Sequence, residues 1–81
     1  MQEAERARLV ERHLEVARRA ATVMHKRVRG HLELDDLIGL ANEGLAEAAA
    51  SYDETKGAAF STFAWYRING AMVAALRRGS N

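Results

Sequence analysis

Apolar residues recur at intervals of three and four along two long stretches of this chain, 9–28 and 34–52, and no proline interrupts either. That period belongs to the α-helix, whose buried stripe repeats every 3.6 residues. The first series is Leu9, His13, Val16, Ala17, Ala20, Val23, Met24 and Val28. It predicts one helix from about Glu3 to Val28, with Glu5, Arg8, Arg12, Glu15, Arg19 and Lys26 on the opposite face. Glu11 and Glu15 sit where i,i+4 pairing with Arg18 and Arg19 would add a few tenths of a kcal/mol. Gly30 is placed to end this helix as a left-handed cap, with Lys26, Arg27 and Arg29 at its negative end.

The second series is Leu34, Leu37, Ile38, Ala41, Leu45, Ala48, Ala49 and Tyr52. Asp35 and Asp36 suit the positive start of such a helix. Leu40 is a large apolar residue off the main seam. Gly44 lies inside the helix at ~1 kcal/mol relative to alanine, a cost that close packing against another helix would explain. The run 53–57 is a turn in which Gly57 supplies positive φ. A third helix follows, with Ser61 or Thr62 as N-cap. If Ser61 caps, Phe60 can staple against Trp65. The helix continues through Ala64, Ile68, Ala71, Met72, Ala75 and Leu76.

The expected fold is all-α, a small bundle of three main helices. It forms one domain over residues 1–81, with 79–81 a frayed or appended tail. Alanine, the best helix former, is abundant, and 81 residues lie near the lower limit for an unaided core. There is no cysteine, which excludes disulfides and thiolate metal sites. No apolar run approaches a bilayer span, and the N-terminus lacks an apolar signal core, so a cytoplasmic chain without a membrane partner is expected.

The net charge of +1 conceals three blocks. Residues 1–31 carry eight basic and four acidic side chains, 32–56 one and seven, and 57–81 three and none. An acidic centre between basic ends suggests two kinds of partner surface. Catalysis finds no support. His13, His25 and His31 lack ligand spacing and read as surface or boundary residues. Asp35 and Asp36 diverge on a helix and read as helix-start residues. No nucleophile–base set, phosphate loop, metal site or cofactor motif is present.

Four of the five aromatics, Phe60, Phe63, Trp65 and Tyr66, fall within seven residues. One helix cannot turn all four to a single core. Exposed rings beside Arg67, Arg77 and Arg78 would suit stacking of unpaired bases, at roughly 1–3 kcal/mol each. The alternative is a Phe60–Trp65 staple, with the other rings capping a small core.

The order of these motifs resembles region 2 of bacterial sigma-70-family transcription initiation factors. It is closest to the alternative group that includes flagellar and sporulation sigma factors. The residues that carry the resemblance are Leu9 to Leu14, Glu33 to Ile38 with Gly44-Leu45, Tyr52-Asp53, Lys56-Gly57, Phe60 to Ala64, and Arg67 to Met72. The resemblance implies that the second helix docks on the β′ coiled coil of RNA polymerase core, through Asp36, Gly39, Leu40, Asn42 and Ala46. It also implies that Phe60, Thr62, Phe63 and Tyr66 face the single-stranded non-template −10 region of promoter DNA. Arg67 would contact phosphate, and Gly70 and Val73 would lie where some members read the duplex edge. The chain departs from the family at Gly39 and Leu40, where longer polar or acidic side chains are usual. Ala46 replaces a larger contact residue, Trp65 stands where a small or β-branched residue is common, and Gly70 has no side chain to read a base. The chain stops after region 2. These departures leave an alternative: a sigma-like module that binds a regulator, such as an anti-sigma factor, or polymerase, without reading DNA. A self-associating helical bundle is a third reading.

Overall fold

The computed structural model describes residues 2–28 and 32–79. Four helices make up the described fold: α1 (Glu3–Arg12), α2 (Leu14–Val28), α3 (Leu34–Ser51) and α4 (Phe60–Gly79), with a short 3-10 turn at Glu54–Lys56. The all-α class is as expected. Gly30, expected to cap the first helix, lies outside the described residues with Arg29, His31 and the tail residues Ser80 and Asn81. Gly79 is the last residue of α4.

The expected first helix is two. It breaks at His13, whose φ of −117° and ψ of 12° leave the helical region. Two interactions hold the break, one local and one from α4. The His13 Nδ1–H donates to the Leu9 carbonyl at 2.8 Å, and the ring meets Phe60 edge-on, with centroids 4.8 Å apart. No glycine or proline marks the site, so the period alone reads through it. The break lets α1 pack against α3 while α2 packs against both α3 and α4. It also changes which residues face inward. Ala17, Ala20 and Ala21 form the buried seam of α2, whereas Val23 is exposed. Among the described residues, Glu11, Glu15, Arg18 and Arg19 form no ion pair with one another.

α3 buries Leu37, Ala41, Gly44, Leu45, Ala48 and Ala49, as its spacing requires. Leu34, Ile38 and Tyr52 pack at the edge of the core. Leu40 does so too, so its apolar character is accounted for by packing. α4 contributes Phe60, Ala64, Ile68 and Met72. Seven of the twelve buried core residues are alanine, and the large fully buried side chains are Leu37, Leu45, Ile68 and Met72. Small side chains let helix axes approach closely, and Gly44 marks the closest approach of α3 to α4. A Cβ built there would stand 2.8 Å from the Arg67 carbonyl oxygen, 2.8 Å from the Ile68 Cα and 3.1 Å from the Ala71 Cβ.

The connection from α3 to α4 is tied down locally. Asp53 accepts from the Thr55 N–H at 2.9 Å and from the Thr55 hydroxyl at 2.6 Å. Gly57 then turns the chain at φ 86°. The Tyr52 hydroxyl donates to the Ala58 carbonyl at 2.7 Å, closing the loop. α4 begins one residue before Ser61, with the Phe63 N–H donating to the Ala59 carbonyl at 3.1 Å. Ser61 and Thr62 are therefore inside the first turn rather than capping it. The expected staple to Trp65 gives way to burial of Phe60 against His13 and Tyr52.

The two Thr55 hydrogen bonds hold the Asp53 carboxyl below the ordinary aspartate range. A depressed folded-state pKa stabilises the fold above the unfolded value, and that contribution is lost as pH falls through the folded one. Melting temperatures of the parent chain and Asp53→Ala should therefore differ at neutral pH and converge in acid. A gap that persists below the aspartate range would show that the turn does not depend on the ionised carboxylate.

Candidate functional site

The first two turns of α4 divide their aromatics between inside and outside. Phe60, expected on the DNA-facing surface, is only 7% exposed and belongs to the core. Its ring lies edge-on to His13 and to Tyr52, the latter with centroids 5.1 Å apart. Tyr52 in turn meets Phe63 at 5.7 Å. Phe63 is half-buried, and its other side is covered by the Arg67 guanidinium, whose Cζ lies 5.5 Å from the ring centroid. A continuous row of rings thus runs from the α1–α2 break to the surface and ends in a cation. This fixes the position of Phe63 without hiding it.

Tyr66 is 74% exposed and Trp65 38%. With Ser61 and Thr62 they form one wall of an open concavity of about 320 Å³, whose other wall is Val16 and Arg19 of α2. Of the expected DNA-facing set, Thr62 and Tyr66 line this concavity, Phe63 and Arg67 form the adjoining stack, and Phe60 supports both from behind. Sequence reasoning missed the α2 wall. Arg19 had been placed on a solvated polar face, which is correct, but its nearness to α4 follows only from the packing of α2 on α4. Trp65 belongs to the clustered aromatics of the sequence but not to the expected DNA-facing set. Its exposure follows from the phase of α4, in which Ala64, Ile68 and Met72 take the buried positions.

A second surface lies on α3. Asp36, Gly39, Glu43, Ala46 and Ala50 are exposed and separated by threes and fours, so they share one face. Asn42 and Leu40 are half-buried at its margins. A Cβ at Gly39 would meet nothing within 4 Å. The face is acidic and low in relief. Further along α4, Gly70 is equally open and Val73 is exposed. Among the described residues no group of three or more histidine or carboxylate side chains is placed to hold a metal ion. No described helix is long and apolar enough to cross a membrane.

Comparison with known proteins places the chain in a family. A family model for sigma-70 region 2 matches residues 9–81. The RNA polymerase sigma factor FliA of Pseudomonas aeruginosa is 38% identical over 71 residues, which cover 88% of this chain and 29% of the relative. The proteins of the same name from Escherichia coli and Yersinia enterocolitica are each 39% identical over 69 residues, 85% of this chain. The chain thus spans less than a third of the length of these relatives.

Proposed function

We propose that this chain, which belongs to the sigma-70 family through its region 2, binds RNA polymerase core with the acidic face of α3 and holds unpaired promoter DNA on the surface shared by α2 and α4. The observation that carries the DNA half is the placement of Phe63, Trp65 and Tyr66. Three rings stand open or half-open on the first two turns of α4, with Arg67 on one of them and Arg19 across the concavity. An unpaired base that leaves the duplex loses its stacking neighbours. A fixed ring at the surface replaces them, and the adjacent cations offset the phosphate charge. The non-template strand of the −10 element is the strand this surface suits. Gly70 and Val73 extend it toward the duplex edge, where backbone rather than side chain is presented at Gly70.

The polymerase half rests on charge and relief. Asp36 and Glu43 flank the open Gly39, and Ala46 continues the shallow face. Such a surface suits close approach of a basic helix, such as one strand of the β′ coiled coil. The role is non-enzymatic, needs no cofactor, and belongs in the cytoplasm with polymerase. The alternative, a module that binds a regulator such as an anti-sigma factor without reading DNA, drew on Leu40 as an apolar anchor. Leu40 packs against the core, which removes that part of its support; Gly39 and Ala46, the other departures behind it, are exposed on the same face.

A dye-labelled non-template −10 oligonucleotide, titrated with the chain bound to core polymerase, should show a saturable rise in anisotropy that core polymerase alone does not give. Affinity should fall with salt, with a slope of about 0.7 per phosphate neutralised. Absence of that rise with core polymerase bound would remove the DNA half. Failure of core polymerase to co-purify with the chain, when it does so with a full-length relative, would remove the other.

A further inference from the structure

Tyr52 is the first residue beyond α3, in extended backbone at φ −67° and ψ 134°. Its side chain reaches across the connection to α4 in two ways. The ring meets Phe60 at 5.1 Å with an interplanar angle of 78°, and Phe63 at 5.7 Å with an angle of 44°. The hydroxyl donates to the Ala58 carbonyl at 2.7 Å. The next carbonyl, that of Ala59, accepts from the Phe63 N–H at 3.1 Å. One side chain therefore holds Phe63 by its ring and anchors the backbone that starts the turn carrying it. Behind Tyr52, Phe60 is closed off by His13 at 4.8 Å.

Packing does not require the hydroxyl, since a phenylalanine would place the same ring. Nor does stability depend heavily on it. Ala58 is exposed, so water can satisfy its carbonyl once the hydroxyl is gone. What the hydroxyl supplies is a fixed distance between the end of α3 and the residue before the first turn of α4. We infer that Tyr52 is a positioning residue for base capture: its hydroxyl sets the first turn of α4, and its ring sets Phe63 within that turn. This rests on the strand-binding role proposed above. A ring fixed before the base arrives loses no freedom on binding, whereas a ring that the base must order weakens the complex.

The test is Tyr52→Phe, alone and combined with Phe63→Ala, read by anisotropy of a dye-labelled −10 strand with the chain bound to core polymerase. Tyr52→Phe should bind the strand about threefold to tenfold more weakly than the parent, the worth of one hydrogen bond, and should bind core polymerase as the parent does. In the Phe63→Ala background the same change should alter strand affinity by less than about twofold, because the ring it positions is gone. Amide hydrogen exchange in the free chain gives a readout without DNA. In Tyr52→Phe, exchange should quicken more at Phe63 than at Ile68, a buried residue of the same helix; a general loss of stability would raise both alike. Strand affinity equal to the parent's, an equal loss with and without Phe63, or exchange that quickens alike at both residues would overturn the inference and leave the strand-binding role standing. A parent chain that gives no rise in anisotropy would remove both.

Discussion

Gly44→Ala should melt about 5–15 °C below the parent chain. The added methyl would stand 2.8 Å from backbone atoms of α4, a carbonyl oxygen and a Cα, rather than from a side chain that can swing aside. Relief requires the two helices to separate along the crossing. Overpacking of this kind costs about 1–3 kcal/mol or more. It outweighs the ~1 kcal/mol that alanine gains over glycine inside a helix. An 81-residue chain has roughly 4–12 kcal/mol of stability in all, and each kcal/mol moves the midpoint of so small a domain by about 4–8 °C. The contrast is internal. Gly39→Ala meets nothing within 4 Å, so it should raise the midpoint by several degrees through propensity alone. Thermal melts followed by circular dichroism would decide the matter. Equal midpoints for Gly44→Ala and the parent would mean that the α3–α4 crossing is looser than its geometry implies.

Phe63→Ala should weaken single-stranded promoter DNA binding by about 10–100-fold, the equivalent of one lost base stack. Phe63 is both a surface ring and a partner of Tyr52 and Arg67, so its removal also loosens the platform. Tyr66→Ala separates the two effects. At 74% exposure Tyr66 contributes little to the fold, so that variant should melt like the parent while still losing affinity. Anisotropy of a dye-labelled −10 strand with core polymerase present reads both variants. A folded Phe63→Ala that binds the −10 strand as tightly as the parent would end the case for base capture at this surface.

The parts of the fold that follow the helical period were legible in the sequence. Leu37, Ala41, Leu45 and Ala48 lie inside because their spacing leaves no other choice, and Gly57 turns the chain at positive φ as its place in the turn requires. The break at His13 was not legible. It depends on a side chain bonding to a carbonyl four residues back and on a ring from α4, one contact too local and the other too distant for periodicity to register. For the same reason Phe60 read as a surface aromatic. Its burial depends on His13 and Tyr52, which are remote from it in sequence or across a turn. The concavity shows the same limit: each lining residue was visible as polar or aromatic, but their convergence belongs to the packing of α2 on α4.

The alanine-rich seam bears on how such a chain can vary. Alanine loses no rotamer freedom when buried, so a core with seven of them is ordered with little loss of side-chain entropy. It also has few flexible side chains that can rearrange to absorb an added methyl. Substitution is therefore accommodated most readily at exposed positions such as Gly39, Ala46, Trp65 and Gly70. Lineages built on this seam can exchange one docking face or one base-binding surface for another while the interior stays as it is.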